Sequence, residues 1–384
     1  NFDDAYSSDV RSFFIQNALY WLENYHIDGL RLDAVHGIYD MSAKHFLQEL
    51  SDYVDNFSRK ENKKYYLIAE SDLNDAVILK TRMQGGYGID AQWNDDFHHC
   101  LHAILTQEKT GYYIDFGWIE KLSRAFKDGF VYQGEYSDFR KRHHGNSSED
   151  IPANQFIVFS QNHDQVGNRM KGERLSQLVS FEMLKLAAAS MILSPYIPML
   201  FMGEEYAEIA PFLYFVEHSD EQLIKDVRQG RKSEFSSFGF EGTPADAQDE
   251  ETFKFSKLNW EKRGEAEHKV MLKFYKKLIE LRKTLPGLKK LDKHSLEISI
   301  DEKQKLLFWR RWYNRNELFC VLNFAKFDAS FSFEASDGKW KKVIDSAKEI
   351  WQGGGTLLPD IIENKQNLNI KMSSFALYQK EVLR

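Results

Sequence analysis

Apolar residues along this chain follow two regimes, and the change between them falls near residue 290. Over residues 9–25, Val10, Phe13, Phe14, Leu19, Trp21, Leu22 and Tyr25 recur at helical spacing. That pattern predicts an amphipathic helix with Ser7 or Ser8 at its cap and its aromatics in the core. Residues 29–35 then read as a buried parallel strand. Asp40 and Ser42 stand where they can cap a second helix, which buries Phe46, Leu47, Leu50, Tyr53 and Val54. Runs of strand length recur at 65–69, 89–93, 156–160 and 198–202. Between them the spacing predicts a short helix over 74–83, helices through much of 101–125 and a long apolar-rich helix over 172–190. Residues 233–252 are charged and loop-like, and 267–282 form a closing helix. Strands alternating with helices predict an α/β architecture with a parallel sheet.

From Leu291 the period becomes two. Short strands are expected at 296–300, 306–312, 318–324, 329–333, 341–344 and 375–379, a spacing that suggests an antiparallel β-sandwich. The chain of 384 residues therefore divides into an α/β part, 1–286, and a β-sandwich, 287–384.

The net charge of −7 argues against nucleic acid as a partner. No apolar run approaches the length of a membrane-spanning helix, so no membrane partner is expected. Cys100 and Cys320 lie far apart without metal or redox spacing, which suits a reducing, cytoplasmic setting. The glycines at 353–355 are not followed by Lys-Ser/Thr and make no phosphate cradle.

The chemistry gathers at strand ends. In Gly29-Leu30-Arg31-Leu32-Asp33-Ala34-Val35-His36, alternation puts Arg31 and Asp33 on one face. Burying both is expensive unless they pair, so the octapeptide alone is also explained by a structural ion pair. Two further runs break that tie: 66–71 reaches Glu70, and 156–164 reaches His163 and Asp164. In a (β/α) barrel the C-terminal strand ends carry the chemistry. Three acids on one rim suit glycosidic bond cleavage, with one carboxylate attacking, a second kept protonated to donate, and a third favouring the positive charge on the ring. Trp93 offers an apolar face to a sugar ring, with Asp95 and Asp96 beside it for hydroxyls. His98 and His102, four apart, could face one metal from a helix, but sugar contact by their neighbours is the preferred reading. No metal and no cofactor are expected.

Residues 29–36, 68–70 and 159–164 resemble, in order, signature regions of the α-amylase superfamily. The resemblance implies Asp33 as nucleophile, Glu70 as general acid/base and Asp164 as transition-state stabiliser. It also implies that Arg31 keeps Asp33 ionised and that His163 binds sugar hydroxyls. His36, Gln165, Asn168 and the segment Trp93, Asn94, Asp95, Asp96 and Phe97 would contact substrate. Stretches 86–99, 130–134, 161–169, 200–206, 211–215 and 227–231 are similar to the trehalohydrolases of that superfamily, which implies malto-oligosyltrehalose or a related α-glucan as substrate. In that setting Phe212, Tyr214 and Phe215, with His218, form a loop that could lie over substrate, and Glu204 and Glu205 would shape the rim or meet distal sugars. An α-glucan branching transferase would use the same acids, and a catalytically inactive glucan-binding remnant stays open as well.

The resemblance makes Asp33 the end of the fourth barrel strand, yet only 28 residues precede Gly29, room for one helix. A whole barrel takes about 250 residues. The expectation is thus the C-terminal part of a (β/α)8 TIM barrel, strands four to eight, followed by the sandwich. The N-terminal part of the barrel would be missing and would act as a partner, and the chain alone would be poorly stable or inactive.

Overall fold

Each of the five apolar runs of the first regime meets a strand, though the fifth strand, Ile197–Pro198, shares only Pro198 with the expected 198–202, and the five pair in parallel. The computed structural model describes residues 1–237, 242, 244–333 and 338–381. Helix α1 (Ser8–Asn24) leads to β1 (Gly29–Leu32), and α2 (Phe46–Glu61) to β2 (Tyr66–Ala69). Strand β3 (Ala91–Trp93) is followed by α3 (Asp95–Thr106), α4 (Ile119–Asp128), a hairpin of β4 (Gln133–Ser137) and β5 (Arg142–Gly145), and β6 (Phe156–Val158). Helices α5 (His163–Gly167), α6 (Leu175–Leu178) and α7 (Phe181–Ile192) precede β7 (Ile197–Pro198). Then come α8 (Glu221–Ser237), α9 (Glu250–Phe255), α10 (Ala266–Thr284) and α11 (Pro286–Lys289).

The parallel sheet has the order β1-β2-β3-β6-β7. Its register, Leu30 opposite Leu67, Ile68 opposite Ala91, Gln92 opposite Phe156 and Ile157 opposite Ile197, brings all five C-terminal ends to one rim. Among the described residues β1 and β7 each pair on one side, so the sheet is open at both edges. Helix α7 is buried all round, from Leu186 through Ala188 to Ile192, because it lies between this sheet and the antiparallel part. Lys185 on α7 donates to the carbonyls of Ser346 (2.9 Å) and Trp351 (2.8 Å). Arg282 and Arg311 donate to carbonyls at the end of α7, including those of Ile192, Leu193 and Ser194, where helix acceptors are otherwise unpaired.

Strands β8 (Leu296–Asp301), β9 (Leu306–Tyr313), β10 (Asn316–Asn323), β11 (Ala329–Phe333), β12 (Trp340–Asp345), β13 (Ile361–Ile362), β14 (Gln366–Ile370) and β15 (Ser374–Lys380) make the antiparallel part. Six of them pair as β13-β12-β15-β10-β9-β8, and β11 with β14 forms a second sheet. Leu306, Val321, Phe333, Trp340, Leu368 and Tyr378 fill the space between the sheets. Strands β13 and β14 are additions to the sequence expectation. No helix among the described residues is long and apolar enough to cross a membrane.

Several local expectations need correction. Helix α1 buries Arg11, Ile15, Ala18 and Leu22, not its aromatics. Phe13 is 65 % exposed and Tyr25 56 %, with Phe14, Tyr20 and Trp21 also on the open side. The reason is that α1 packs inward through its Ile15–Leu22 side, and Arg11 is drawn in by Asp40 (2.7 Å) and Glu49 (2.6 Å). The Ser7 side chain makes no cap bond, and on α2 Tyr53 is exposed. Asp40 does accept from the Phe46 N–H (2.5 Å), while His45 holds the cap position itself. The helix expected over 172–190 is broken, because Val179 and Ser180 are extended and Ser180 caps a new helix through the Met183 N–H. Residues 74–83 hold two short 3₁₀ turns, not one helix. The loop expected over 233–252 begins inside α8 and lies partly outside the described residues.

Candidate active site

The site is built at the end of β1. Immediately after Asp33 the backbone turns through Ala34 in the left-handed region (φ 42°, ψ 47°), a conformation that costs a non-glycine residue on the order of 1 kcal/mol. That turn points the Ala34 N–H at Glu70 Oε2 (2.9 Å), so the strain is offset by a charge-assisted hydrogen bond. The Glu70 backbone is fixed on both sides, its N–H donating to Leu32 O (3.0 Å) and its carbonyl accepting from Val35 N–H (3.0 Å). Arg31, one strand repeat before Asp33, reaches both acids: its guanidinium ion-pairs with Asp33 and with Glu70 Oε1 (2.7 Å).

The two acids differ in setting. The Asp33 side chain is 80 % exposed, and that of Glu70 is 17 %. The Arg31 hydrogen bond holds Asp33 below the usual carboxylate range, and the imidazole of His163 adds to this. Burial pushes Glu70 up, the charges of Asp164 and Asp33 add to the rise, and the Ala34 N–H and Arg31 oppose it. A pair of acids pushed apart in this way is what acid/base catalysis with a separate nucleophile requires.

Asp33, Glu70, Asp95 and Asp164 line one open cleft of about 380 Å³, with His36 and Gln165 at its wall. Gln165 donates to Asp95 Oδ1 (3.3 Å), and burial, with the charges of Glu70, Asp96 and Asp164, pushes Asp95 up to about 8. His36 Nδ1 lies 3.7 Å from Asp72. His163 stands edge-on to Trp93 (5.8 Å between rings), at the start of α5. Asn168 is at the edge of this group: it donates to Asp164 Oδ1 (2.9 Å) and accepts from Arg231 (2.9 Å).

Four of the expected contacts are turned away. Helix α3 starts at Asp95, so each following side chain is rotated about 100°. Asp95 faces the cleft, but Asp96 points to the hairpin. There it accepts from the N–H groups of Val131 (2.6 Å) and Tyr132 (3.4 Å) and from Asn74, and burial holds it at about 6. Phe97 is fully buried against Phe126 and Tyr196. Asn94 is the helix cap, accepting from Phe97 N–H (3.2 Å) and donating to Gly129 O (2.9 Å). Trp93 borders the site, but its face is taken by the Arg31 guanidinium, 4.4 Å from the ring centroid.

Other residues reach the cleft without having been singled out for it: Asp72, His99, Tyr112, Phe139 and Arg140. Phe139 and Arg140 sit at the turn of the β4–β5 hairpin, and Arg140 donates to Asp72 (3.1 Å) across the opening. The hairpin sequence has no apolar alternation to reveal it. The ring of His99, between His98 and His102 on α3, stacks on Tyr112 (4.3 Å). His98 and His102 stack on each other (5.4 Å), and His102 bonds Glu108 (2.9 Å). Among the described residues no group of three or more His, Cys, Asp or Glu could hold a metal. Glu204, expected at the rim, is buried beneath it. A larger groove, about 550 Å³, lies on β8–β11, away from these acids.

Known proteins bear on this geometry. The Alpha-amylase family profile (alpha amylase, catalytic domain) matches residues 4–290. A malto-oligosyltrehalose trehalohydrolase of Saccharolobus solfataricus is 50 % identical over 283 residues, 74 % of this chain and 47 % of that protein. One of Arthrobacter ramosus is 42 % identical over 313 residues, 81 % of this chain and 54 % of that protein. The chain thus spans about half the length of the curated relatives it matches. A candidate alpha amylase of known structure from Salmonella typhimurium superposes with a TM-score of 0.82 at 34 % identity, covering 98 % of this chain and 61 % of that one. With the family profile running from α1 through α11, and acids at the ends of its parallel strands, this chain belongs to the alpha-amylase family.

Proposed function

We propose that this chain carries the catalytic acids of a malto-oligosyltrehalose trehalohydrolase, which hydrolyses the α-1,4 bond next to the terminal trehalose with retention and releases trehalose. Asp33 attacks the anomeric carbon and Glu70 protonates the departing oxygen. Glu70 then takes a proton from the water that releases the sugar from Asp33, while Asp164 favours the positive charge on the ring. The observation that carries this reading is the Arg31 guanidinium bound to both Asp33 and Glu70, with the first acid lowered and the second raised. One guanidinium pairs with both carboxyls, Asp33 at Nη1 and Glu70 Oε1 at Nη2 (2.7 Å), which supports the short separation of retaining enzymes over the roughly 6.5–9.5 Å of inverting ones. Asp95, His36 and Gln165, which line the cleft with Tyr112, Phe139 and Arg140, are the proposed sugar contacts, together with His163 beside Trp93 at the start of α5.

A division between the α/β part and the sandwich is supported by α10 ending at Thr284 and β8 starting at Leu296, with α11 (Pro286–Lys289) spanning the 286/287 cut. The parallel strands are proposed as the fourth to eighth of a TIM barrel, and the open edge of β1 with the aromatic side of α1 as the place where further βα units dock. Support comes from the exposed Phe13, Trp21 and Tyr25 on α1 and from the unpaired edge of β1 among the described residues. The buried, free thiols Cys100 and Cys320 suit a cytoplasmic enzyme.

The test is trehalose release from maltotriosyltrehalose, with maltopentaose as control. Trehalose release with little action on maltopentaose supports the reading, and transfer into branched polymer would replace it with the branching reaction. Should the chain act on neither, the assay is repeated with the N-terminal half of a relative added; continued silence on both substrates overturns the reading.

A further inference from the structure

Glu204 is a buried acid for which the proposed mechanism has no use. It is 5 % exposed and lies on the turn after β7, under the end of β6. Three side chains converge on it: the Ser160 hydroxyl (3.2 Å) and the Gln161 amide (3.4 Å) donate to Oε2, and the Tyr275 hydroxyl of α10 donates to Oε1 (3.3 Å). Gln161 in turn accepts from the Leu175 N–H at the start of α6 (3.1 Å). Ser160 and Gln161 directly precede Asn162, whose side chain accepts from the N–H groups of Asp164 and Gln165 and so sets the turn that presents His163 and Asp164.

We propose that Glu204 is a positioning residue of this site: its carboxyl holds Ser160 and Gln161, and through them aims His163 and Asp164 into the cleft. This rests on the roles given above to those two residues.

The nearby Glu208 has three backbone donors where Glu204 has one, that of Phe201. Glu208 is equally buried, yet backbone N–H groups of Ala210, Asn259 and Ile209 donate to it, and it stays below the usual range. Burial instead pushes Glu204 up to about 8, against the donors of Phe201, Gln161, Ser160 and Tyr275. The ionisable groups around it are Arg174 on the α6 side, Tyr275 on α10, and Glu205, Tyr206 and Glu208 on its own turn. Arg174 donates to the carbonyls of Ala210 (2.6 Å) and Met202 (2.7 Å) and makes no hydrogen bond to Glu204. A neutral acid can donate as well as accept, so it can hold three polar partners without bringing an unpaired charge beneath the catalytic carboxylates.

Glu204→Gln keeps the size and the hydrogen-bonding capacity, and Glu204→Ala removes both. Glu204→Gln should turn over close to wild type. Glu204→Ala should lose about 10²-fold in kcat with KM little changed, the scale of a misplaced reacting group. The His163 imidazole signals in the NMR spectrum should move in Glu204→Ala and stay in Glu204→Gln. The wild-type folded state keeps this proton to about pH 8, while the unfolded chain releases it near 4.5. Stability from this group is therefore lost as pH rises between those values, and Glu204→Gln should gain melting temperature over wild type across that window. A folded Glu204→Ala with unchanged kcat and unmoved His163 signals overturns the proposal, as does a Glu204→Gln as impaired as Glu204→Ala. A wild-type protein without turnover, even with the N-terminal half of a relative added, overturns the glycosidase reading alone, and the His163 signals still decide the positioning.

Discussion

Arg31 lies over Trp93, its guanidinium carbon 4.4 Å from the indole centroid, and the same guanidinium pairs with both catalytic candidates. Phe159 and His163 hold the indole from its edges (5.7 and 5.8 Å), so the ring is a shelf for the cation that bridges Asp33 and Glu70. Trp93→Ala should free Arg31, raise the Asp33 pKa and shift the acid limb of the kcat/KM profile to higher pH. A cation–π contact of this kind is worth about 0.5–2 kcal/mol, hence a loss of roughly two- to thirtyfold in rate. An unmoved acid limb in a folded Trp93→Ala would show that Arg31 needs no shelf.

The two acids should respond differently to removal of their charge. Asp33→Asn should lower turnover by at least about 10⁴-fold on every substrate, because a nucleophile has no substitute. Glu70→Gln should be most damaging with poor leaving groups and mild with activated aryl glycosides, which need no proton. Because Glu70 acts while protonated and its pKa is raised, wild-type rate should fall as pH climbs through that pKa, and Glu70→Gln should lack this alkaline limb. Equal losses on good and poor leaving groups would remove Glu70 from the acid role.

Asp95 links the cleft to stability. Its folded pKa of about 8 exceeds the unfolded value of 3.8, so the folded state retains a proton that the unfolded chain gives up. Folding stability from this group is present below about pH 4 and declines as pH rises to 8. Asp95→Asn should therefore melt higher than wild type at pH 8 and close to it at pH 4, while losing substrate affinity. Scanning calorimetry across that range reads the difference directly, and parallel curves for the two proteins would contradict it.

The aromatic side of α1 should govern association. Phe13 and Phe14 pack together, as do Tyr20, Trp21 and Tyr25, and all five are exposed on the helix that leads into β1, an edge strand among the described residues. The isolated chain should self-associate at micromolar concentration and melt with poor cooperativity, and Phe13→Ser with Trp21→Ser should reduce the association. Sedimentation velocity gives the answer: a monomeric wild type with a cooperative melt would contradict the expectation.

Much of this was legible along the chain because the signals are local. Apolar runs of strand length, and the acids that end them, mark Asp33, Glu70 and Asp164 without any knowledge of distant contacts. The switch to period two near Leu291 marks β8–β12 and β15 for the same reason, whereas β14 (Gln-Asn-Leu-Asn-Ile) is too polar and β13 too short to stand out.

Facing is another matter. Where α3 begins decides that Asp95 looks into the cleft while Asp96 serves the hairpin and Phe97 the core, and a helix start is set by capping and neighbours, not by composition. The α1 aromatics have the spacing of a core stripe, yet Arg11 and Ile15 face inward because Asp40, Glu49 and the sheet lie on that side. Phe139 and Arg140 come to the cleft only through a hairpin whose strands carry no apolar alternation. Residue order and hydrophobic period thus determine which strands form and which acids stand at their ends. The direction each side chain takes, the carboxyl each proton favours, and the walls of the cleft follow from packing between segments far apart in sequence, where burial and a shared guanidinium act across space.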